Sequence, residues 1–366
     1  MAAILAGVMP APETQIELRE FPEPDLAPGA VLLHTTFSEV CGTDVHLWHG
    51  RLEGVPYPII PGHVSVGEIA SIRGSVTALD GSALREGDRA VFFDVHRTCG
   101  RCYACTIARM PNRCPARRVY GITDSADEGL FGGWAEAIYL EPGVQIARLP
   151  TGVEPEDYIG AGCGLLTAVH ALERARLQMG DALLVQGAGP VGLSVIALAR
   201  LSGAGPIVVL GAPDDRLSLA RRMGASAVLD IRTTARDERR AVVHDATGGR
   251  GVDVGVEAAG SARAFEEGLD LVRDGGVYVI AGHYTDAGPS TINVHRQINR
   301  KHLDVRGCWG SDVGHFSRAL ATLEAHARTI PWREIGARVY PLARAGDALD
   351  AAEAQRVPKA IIAPRA

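Results

Sequence analysis

After Leu165 the chain alternates short apolar runs with segments of helical length, and this alternation restricts the fold more than any other feature of the sequence. Six runs have the length and composition of buried strands: ALLVQ (182–186), PIVVLG (206–211), SAVLD (226–230), VDVGVEA (252–258), GVYVIAG (276–282) and DVRGCW (304–309). Strands of this kind belong in a parallel sheet that helices cover on both faces. We therefore predict a doubly wound α/β domain over residues 165–309.

A glycine-rich turn joins the first of these runs to a predicted helix. Its residues are Gly187, Ala188, Gly189, Pro190, Val191 and Gly192. Between a strand and a helix, G-x-G-x-x-G lets the backbone approach a dinucleotide pyrophosphate, and the N–H groups at the helix start face the phosphates. The alternative is a plain tight turn of the same spacing, which the surrounding alternation disfavours.

The end of the second run is where an acidic residue usually binds the ribose hydroxyl of NAD. This chain has Gly211 there, followed by Asp214, Asp215 and Arg216 in the turn before the next helix. Arg216 is a candidate for a 2′-phosphate, but the adjacent carboxylates oppose one, and a solvated arginine at a helix start is the alternative. The choice between NAD and NADP stays open.

Residues 1–164 differ in composition from the segment that follows and are rich in Gly and Pro. Three runs in this region resemble β-strands: AVLLHTTF (30–37), VGEIASI (66–72) and RAVFFDV (89–95). We predict a mostly β domain, with residues 310–366 packing back on it and a helix over 314–327. The polar, Gly-rich loop 124–133 is expected to be mobile.

Composition and charge favour a globular protein with a small-molecule partner. There are 37 Lys and Arg against 43 Asp and Glu, a net charge of -6, so neither nucleic acid nor an anionic membrane is favoured as a partner. The first ten residues lack a basic residue, and no run of about 18 apolar residues follows. We expect a cytoplasmic location.

Four of the seven cysteines lie within one short segment. They are Cys99, Cys102, Cys105 and Cys114. Four thiolates at this spacing close a tetrahedral zinc site that has no position left for a substrate, which predicts a structural zinc. Free surface cysteines and an iron–sulfur cluster are the alternatives, and nothing else in the chain indicates one-electron chemistry.

A second set of metal-binding side chains is dispersed: Cys41 in VCGTDVH, His63 in PGHVSVGE and Cys163 in GAGCGLLT. Two thiolates and an imidazole would leave one position free on a zinc ion, as in catalytic sites. Each residue also has an ordinary structural interpretation, and the spacing alone does not unite them. The remaining cysteine, Cys308, is interpreted as a buried strand residue.

The segments VCGTDVH, PGHVSVGE, the four-cysteine lobe, GAGCGLLTAVHAL and GAGPVG occur in the order in which they stand in zinc-dependent medium-chain alcohol dehydrogenases, and the chain resembles that family over nearly its whole length. The resemblance implies a GroES-like catalytic domain built from both ends of the chain, a Rossmann domain between them, and an active site where they meet. It also implies one catalytic and one structural zinc, NAD or NADP as cofactor, and a homodimer or homotetramer.

The resemblance assigns roles residue by residue. It makes Cys41, His63 and Cys163 the catalytic zinc ligands and the other four cysteines the structural ones. Asp44 matches a carboxylate that would orient the His63 imidazole. Thr43 matches a hydroxyl beside the reacting oxygen, and His46 the outer end of a proton relay. Val64 departs from the pattern, because the residue after the zinc histidine is commonly Glu in the family.

These assignments predict hydride transfer between an alcohol and NAD(P), with a secondary or cyclic alcohol favoured by the candidate pocket residues Trp48, Val95, His96 and Trp309. A zinc-free quinone or enoyl reductase has no need for the three dispersed ligands. A non-catalytic dinucleotide-binding protein with only the structural zinc is the other alternative. A nucleic-acid-binding zinc module fits least, because a basic face is lacking.

Overall fold

The computed structural model describes residues 3–336 and 338–366, which form two compact units. The first unit takes the chain up to Gly162, Asp312–Ala327 and the described residues of Trp332–Ala366, and the second takes Cys163–Ser311 and Arg328–Pro331. The predicted boundaries at 164/165 and 309/310 each lie two residues from an observed division. The sequence pattern gives no sign that 328–331 belongs to the second unit.

Strands and helices follow one another along the whole described chain. In chain order the strands are β1 (Ala3–Val8), β2 (Glu17–Pro22), β3 (Val31–Val40), β4 (Ser65–Ile72), β5 (Arg89–Phe92), β6 (Val95–Arg97), β7 (Arg118–Val119), β8 (Ala137–Leu140), β9 (Ile146–Arg148), β10 (Leu183–Gln186), β11 (Ile207–Gly211), β12 (Ala227–Asp230), β13 (Val252–Glu257), β14 (Val272–Ile280), β15 (Asp304–Gly307), β16 (Arg338–Pro341) and β17 (Ala360–Ala363). The helices are α1 (Gly42–Trp48), α2 (Tyr103–Thr106), α3 (Pro155–Ala175), α4 (Pro190–Leu201), α5 (Asp214–Met223), α6 (Arg236–Ala246), α7 (Ala262–Leu271), α8 (Val313–His326) and α9 (Ala345–Glu353).

The first unit is mostly β. Its main sheet has the order β16-β17-β3-β4-β5-β9, with β8 also paired to β3, and two small sheets are formed by β1-β2 and β6-β7. Strand β3 pairs antiparallel with both β4 and β17, so that Ser38 lies opposite Ser65 and Val40 opposite Ala360. The residues just beyond these strand ends are therefore brought together around the end of β3.

The second unit is a parallel sheet with the order β12-β11-β10-β13-β14-β15. This is the strand order of the doubly wound dinucleotide-binding fold, and the predicted fold class is confirmed. All six predicted strands are present. The main difference is in β14, which begins at Val272 rather than Gly276, because Val272 already pairs with Val252 directly after α7 ends.

The loop 124–133 is not the mobile segment that its composition predicts. Ala126 and Leu130 are buried, and the backbone N–H of Gly133 donates to the Gly62 carbonyl at 2.7 Å. A Cβ atom added at Gly132 would lie 1.7 Å from the carbonyl oxygen of Ile60. The glycines here permit close backbone contact with the segment that precedes His63, so the expectation of mobility is wrong.

Among the helices of the described residues, we find none with the length and apolar character needed to cross a membrane.

The close contact at Gly132 generates a stability prediction. Gly132→Ala forces the new methyl group against the Ile60 carbonyl, and overpacking of this kind costs about 1–3 kcal/mol. We expect the melting temperature to fall by about 3–10 °C, measured by differential scanning calorimetry. Gly346→Ala is the control, because a Cβ there meets nothing within 4 Å inside α9 and alanine is a better helix former. Equal melting temperatures for the two variants would contradict the close contact between Gly132 and the Ile60 carbonyl.

Candidate functional site

The four-cysteine segment folds into a compact cluster around α2. The sulfur atoms of Cys99, Cys102, Cys105 and Cys114 all lie within 4.8 Å of one another. Cys102 Sγ is 3.6 Å from Cys105 Sγ and 3.9 Å from Cys114 Sγ. Two thiolates of a tetrahedral zinc site lie about 3.8 Å apart, given Zn–S bonds of about 2.3 Å. The cluster therefore fits a closed zinc site.

The thiols of this cluster differ in acidity. Backbone N–H groups of Arg101 and Cys102 lower the pKa of the Cys99 thiol to about 6. Desolvation and the neighbouring Cys102 thiol raise the pKa of Cys105 to about 11. Thiols this close oppose one another's ionisation, so four thiolates together require a cation between them.

The dispersed residues also come together. Ligand atoms of Cys41, His63 and Cys163 lie within 4.8 Å of one another, and Glu39 joins them. Cys163 directly follows Gly162 on α3, where the division between the two units falls. Glu39 was not foreseen as a site residue. The available signal was a carboxylate one residue before the end of a strand and two residues before a candidate ligand.

The geometry around Cys41 follows from its place between β3 and α1. Its thiol caps the helix by accepting a hydrogen bond from the Thr43 backbone N–H at 3.3 Å. Its own N–H donates to Asp44 Oδ2 at 2.8 Å, while Asp44 Oδ1 accepts from the Gly62 N–H at 3.3 Å. The Asp44 carboxylate therefore connects the backbone at Cys41 to the backbone just before His63.

This geometry corrects the expected contact of Asp44. Within the described residues Nδ1 of His63 is buried without a hydrogen-bond partner, so Asp44 does not orient the ring by a direct bond. Nε2 of His63 instead faces Cys41 Sγ at 4.0 Å and Glu39 Oε1 at 3.5 Å. Asp44 fixes the segments that carry the ligands, and it acts on backbone atoms rather than on the imidazole.

The electrostatics of this pocket favour a cation. Burial and the nearby Cys41 thiol raise the pKa of Asp44 well above its usual range. Burial disfavours protonation of His63, but the charges of Cys41, Glu39 and Asp44 outweigh burial and raise its pKa well above the usual value. The shift of His63 reflects the negative charge gathered in this buried space, which is the environment that a divalent metal ion neutralises.

Thr43 and His46 lie on one face of α1, because they are three residues apart in a helix. Both side chains are half-buried, and burial is the first cause of the lowered pKa of His46. The neutral imidazole is therefore the favoured form near pH 7. Their roles in proton transfer stay predictions.

The glycine-rich turn has the shape needed for close backbone approach. Gly187 adopts φ 109°, and a Cβ at Gly192 would lie 2.0 Å from the Gly187 carbonyl oxygen, so side chains are excluded at both positions. Gly189 caps α4, Pro190 is the first residue of that helix, and space is open around Gly189. The turn fits a pyrophosphate at the helix start.

Gly211, at the end of β11 where an acidic residue was expected, also packs against the glycine-rich turn. A Cβ at Gly211 would lie 2.8 Å from the Ala188 Cβ atom. Arg216, in the first turn of α5, is buried, and burial lowers its pKa while Asp215 opposes the shift. The interpretation of Arg216 as a solvated helix-start residue is therefore wrong.

Two of the candidate pocket residues have structural contacts. His96 Nδ1 lies 2.7 Å from Glu141 Oε2 and its Nε2 lies 3.0 Å from Asp124 Oδ2, so both ring nitrogens are already bound. The indole of Trp309 stacks on Tyr284, with ring centroids 5.5 Å apart. His96 therefore has no ring nitrogen to offer a ligand. Cys308 is buried as expected, one residue beyond β15, and burial raises its pKa to about 12.

Comparison with protein families gives two matches. Residues 27–151 match the alcohol dehydrogenase GroES-like domain, and residues 190–325 match the zinc-binding dehydrogenase domain. The 5-exo-hydroxycamphor dehydrogenase of Pseudomonas putida is 30% identical over 352 residues, which cover 96% of each protein.

Solved structures agree with these matches. An alcohol dehydrogenase from Thermotoga maritima is 32% identical, with a TM-score of 0.95 and complete coverage of both chains. A zinc-binding dehydrogenase from Sinorhizobium meliloti, solved bound to NADP, is 26% identical with a TM-score of 0.84, again over the full length of both chains.

The geometry of the cysteine cluster predicts metal stoichiometry. We expect about two zinc ions per chain in the wild-type protein and about one in Cys99→Ser, measured by elemental mass spectrometry after gel filtration. Cys308→Ala is the control and should keep both ions, because Cys308 is buried away from either group of ligands. Retention of two ions by Cys99→Ser would contradict the structural site.

Proposed function

Because this chain belongs to the zinc-dependent medium-chain alcohol dehydrogenases, we propose that it interconverts a secondary or cyclic alcohol and its ketone, with NAD or NADP carrying the hydride. The observation that carries the proposal is the convergence of Cys41, His63 and Cys163 in a pocket that favours a cation.

The residues fit the groups that the family implies. One nitrogen and two sulfur ligands suit zinc, and the turn at 187–192 suits a dinucleotide. When bound, a zinc ion there would supply Lewis-acid polarisation of the substrate oxygen, and a nicotinamide would supply hydride acceptance or donation.

The side chains of α1 supply the proton path in this proposal. Thr43 accepts the hydroxyl proton of the alcohol and passes it towards His46. His46 is suited to receive it, because burial keeps its imidazole neutral near pH 7. In the reduction direction the same two side chains return the proton.

The substrate class is supported by the Pseudomonas relative, whose name gives a cyclic alcohol as its substrate and which matches nearly the whole chain. A zinc-free quinone or enoyl reductase is a poorer candidate, because the clustered cysteines and histidine would then serve no purpose. A non-catalytic protein with only the structural zinc likewise leaves the second cluster unexplained.

The proposal is tested by a screen of alcohols and ketones with NAD and NADP, following the absorbance of the reduced nicotinamide. Cys41→Ser should lower turnover of the best substrate by about 1,000-fold or more, because metal-assisted charge stabilisation is worth several kcal/mol. Its affinity for the reduced dinucleotide, measured by fluorescence, should be unchanged.

Cys308→Ala serves as the control and should keep wild-type turnover. Undiminished turnover in Cys41→Ser would contradict the assignment of Cys41 as a ligand of a catalytic zinc ion. Turnover of no alcohol or ketone by a wild-type protein that binds dinucleotide and two zinc ions would contradict the proposed reaction.

The glycine at position 211 predicts weak discrimination between the cofactors. No carboxylate at position 211 binds the ribose, and Arg216 and the carboxylates of Asp214 and Asp215 act in opposite directions on a 2′-phosphate. We therefore expect the kcat/KM values for NAD and NADP to differ by no more than about tenfold. Gly211→Asp should favour NAD over NADP by about tenfold more than the wild type does. Gly211→Ala is the matched control, because it adds the same Cβ against Ala188 without a charge. An equal shift in both variants would show that packing, rather than charge, sets the preference.

A further inference from the structure

A buried ion pair lies beside the predicted metal ligands. Lys359 Nζ donates to Glu39 Oε2 at 2.6 Å, and both side chains are fully buried. The other carboxylate oxygen, Oε1, is 3.5 Å from His63 Nε2. One oxygen of Glu39 is thus held by the lysine while the other is directed at the ligand cluster.

The surrounding backbone is shaped to hold this pair. The ammonium of Lys359 also donates to the carbonyls of Ile159 and Ala161 in α3. The helix is interrupted at Gly162, with φ 45° and ψ -144°, and a Cβ there would lie 2.0 Å from Glu39 Oε2 and 2.3 Å from Lys359 Nζ. The break therefore both leaves room for the pair and stands directly before Cys163.

The strand register brings the two partners together. Glu39 pairs with Ile361 across β3 and β17, two residues beyond Lys359. On its other side the Glu39 N–H donates to the carbonyl of Val64, the residue after His63, at 3.1 Å. The carboxylate is consequently fixed by backbone pairing on both sides of its strand.

The distance between Glu39 and His63 matches shared metal coordination better than a hydrogen bond. Ligand atoms on one tetrahedral zinc ion lie about 3.3–3.8 Å apart, which includes the 3.5 Å between Glu39 Oε1 and His63 Nε2. A hydrogen bond between the same atoms would normally be about 2.7–3.2 Å long.

Charge balance supports the same interpretation. Two thiolates neutralise a divalent ion, and Lys359 then offsets the charge of Glu39, so that the ion, its four ligands and this lysine together carry no net charge. A buried ion pair gives little net stability compared with apolar residues of similar volume, so stability of the fold alone does not require this one.

We propose that Glu39 is a further ligand of this metal centre, whose Oε1 would hold a bound metal ion together with Cys41, His63 and Cys163 when no substrate is present. Lys359 is a positioning residue that holds the carboxylate and balances its charge. A substrate oxygen would therefore have to compete with Glu39 for a bound metal ion. This inference rests on the proposed function, because it requires a metal ion at Cys41 and His63.

The test uses the full-length protein loaded with Co²⁺, whose visible absorption reports the ligands directly. The double variant Glu39→Met with Lys359→Met removes both charges at similar volume, and Glu39→Gln is the single variant. Glu39→Gln leaves a buried lysine without its counter-ion and can fail to fold, so the double variant keeps the inference testable.

We expect the visible bands of the double variant to shift. Its affinity for Co²⁺ at this site, measured by chelator competition, should fall about 10-fold or more. Imidazole, used as a small metal ligand, should bind the cobalt protein several-fold more tightly, because no carboxylate competes with it. The four-cysteine site contributes the same absorption in every variant.

The matched control is the ion pair between Asp157 in α3 and Arg333, whose charged atoms are 2.7 Å apart. Asp157→Asn with Arg333→Gln should leave the cobalt spectrum, the metal affinity and the imidazole affinity unchanged. If the double variant at 39 and 359 keeps the wild-type cobalt spectrum, metal affinity and imidazole affinity, the proposed role of Glu39 is overturned, while the proposed function is not affected. A wild-type protein that binds one metal ion, and keeps it in Cys41→Ser, would overturn the proposed function itself.

Discussion

The antiparallel pairing of β3 with β4 and with β17 is the constraint on which the candidate metal centre depends. Strand β3 carries Glu39 and leads directly into Cys41, while the segment before β4 carries His63 and the residue before β17 is Lys359. A shift of one residue in either pairing would turn the inward side chains to the opposite face of the sheet. The buried Asp44 carboxylate reinforces the arrangement, because it binds backbone N–H groups on two of these segments.

Close backbone packing behind the ligands makes this arrangement rigid. The loop 124–133 lies against the segment before His63 through glycines that have no space for a side chain, and Gly162 does the same beside Cys163. These positions carry no chemistry of their own. They hold ligand-bearing segments at fixed distances, which a metal site requires more strictly than an apolar core does.

Much of this could be predicted from sequence, because the signals are local. The parallel sheet follows from the spacing of apolar runs, and the four-cysteine cluster from ligands within one short segment. The dispersed ligands were united only by family resemblance, since residues 41, 63 and 163 are distant in the chain. Glu39 was missed because its partner is 320 positions away, and loop 124–133 was misjudged because glycine serves flexibility and close packing alike.

The charges around His63 explain why these features occur together. The negative charges of Cys41, Glu39 and Asp44 all raise the pKa of His63, and Lys359 is bound to one oxygen of Glu39. A divalent ion removes that imbalance, whereas protonation of His63 removes only part of it and would leave the ring unable to bind metal. The chain therefore gathers ligand atoms and negative charge in one buried region that suits a metal ion. Val64, where the family commonly has Glu, is hydrogen-bonded to the backbone of Glu39, which brings a carboxylate to the same region from the neighbouring strand.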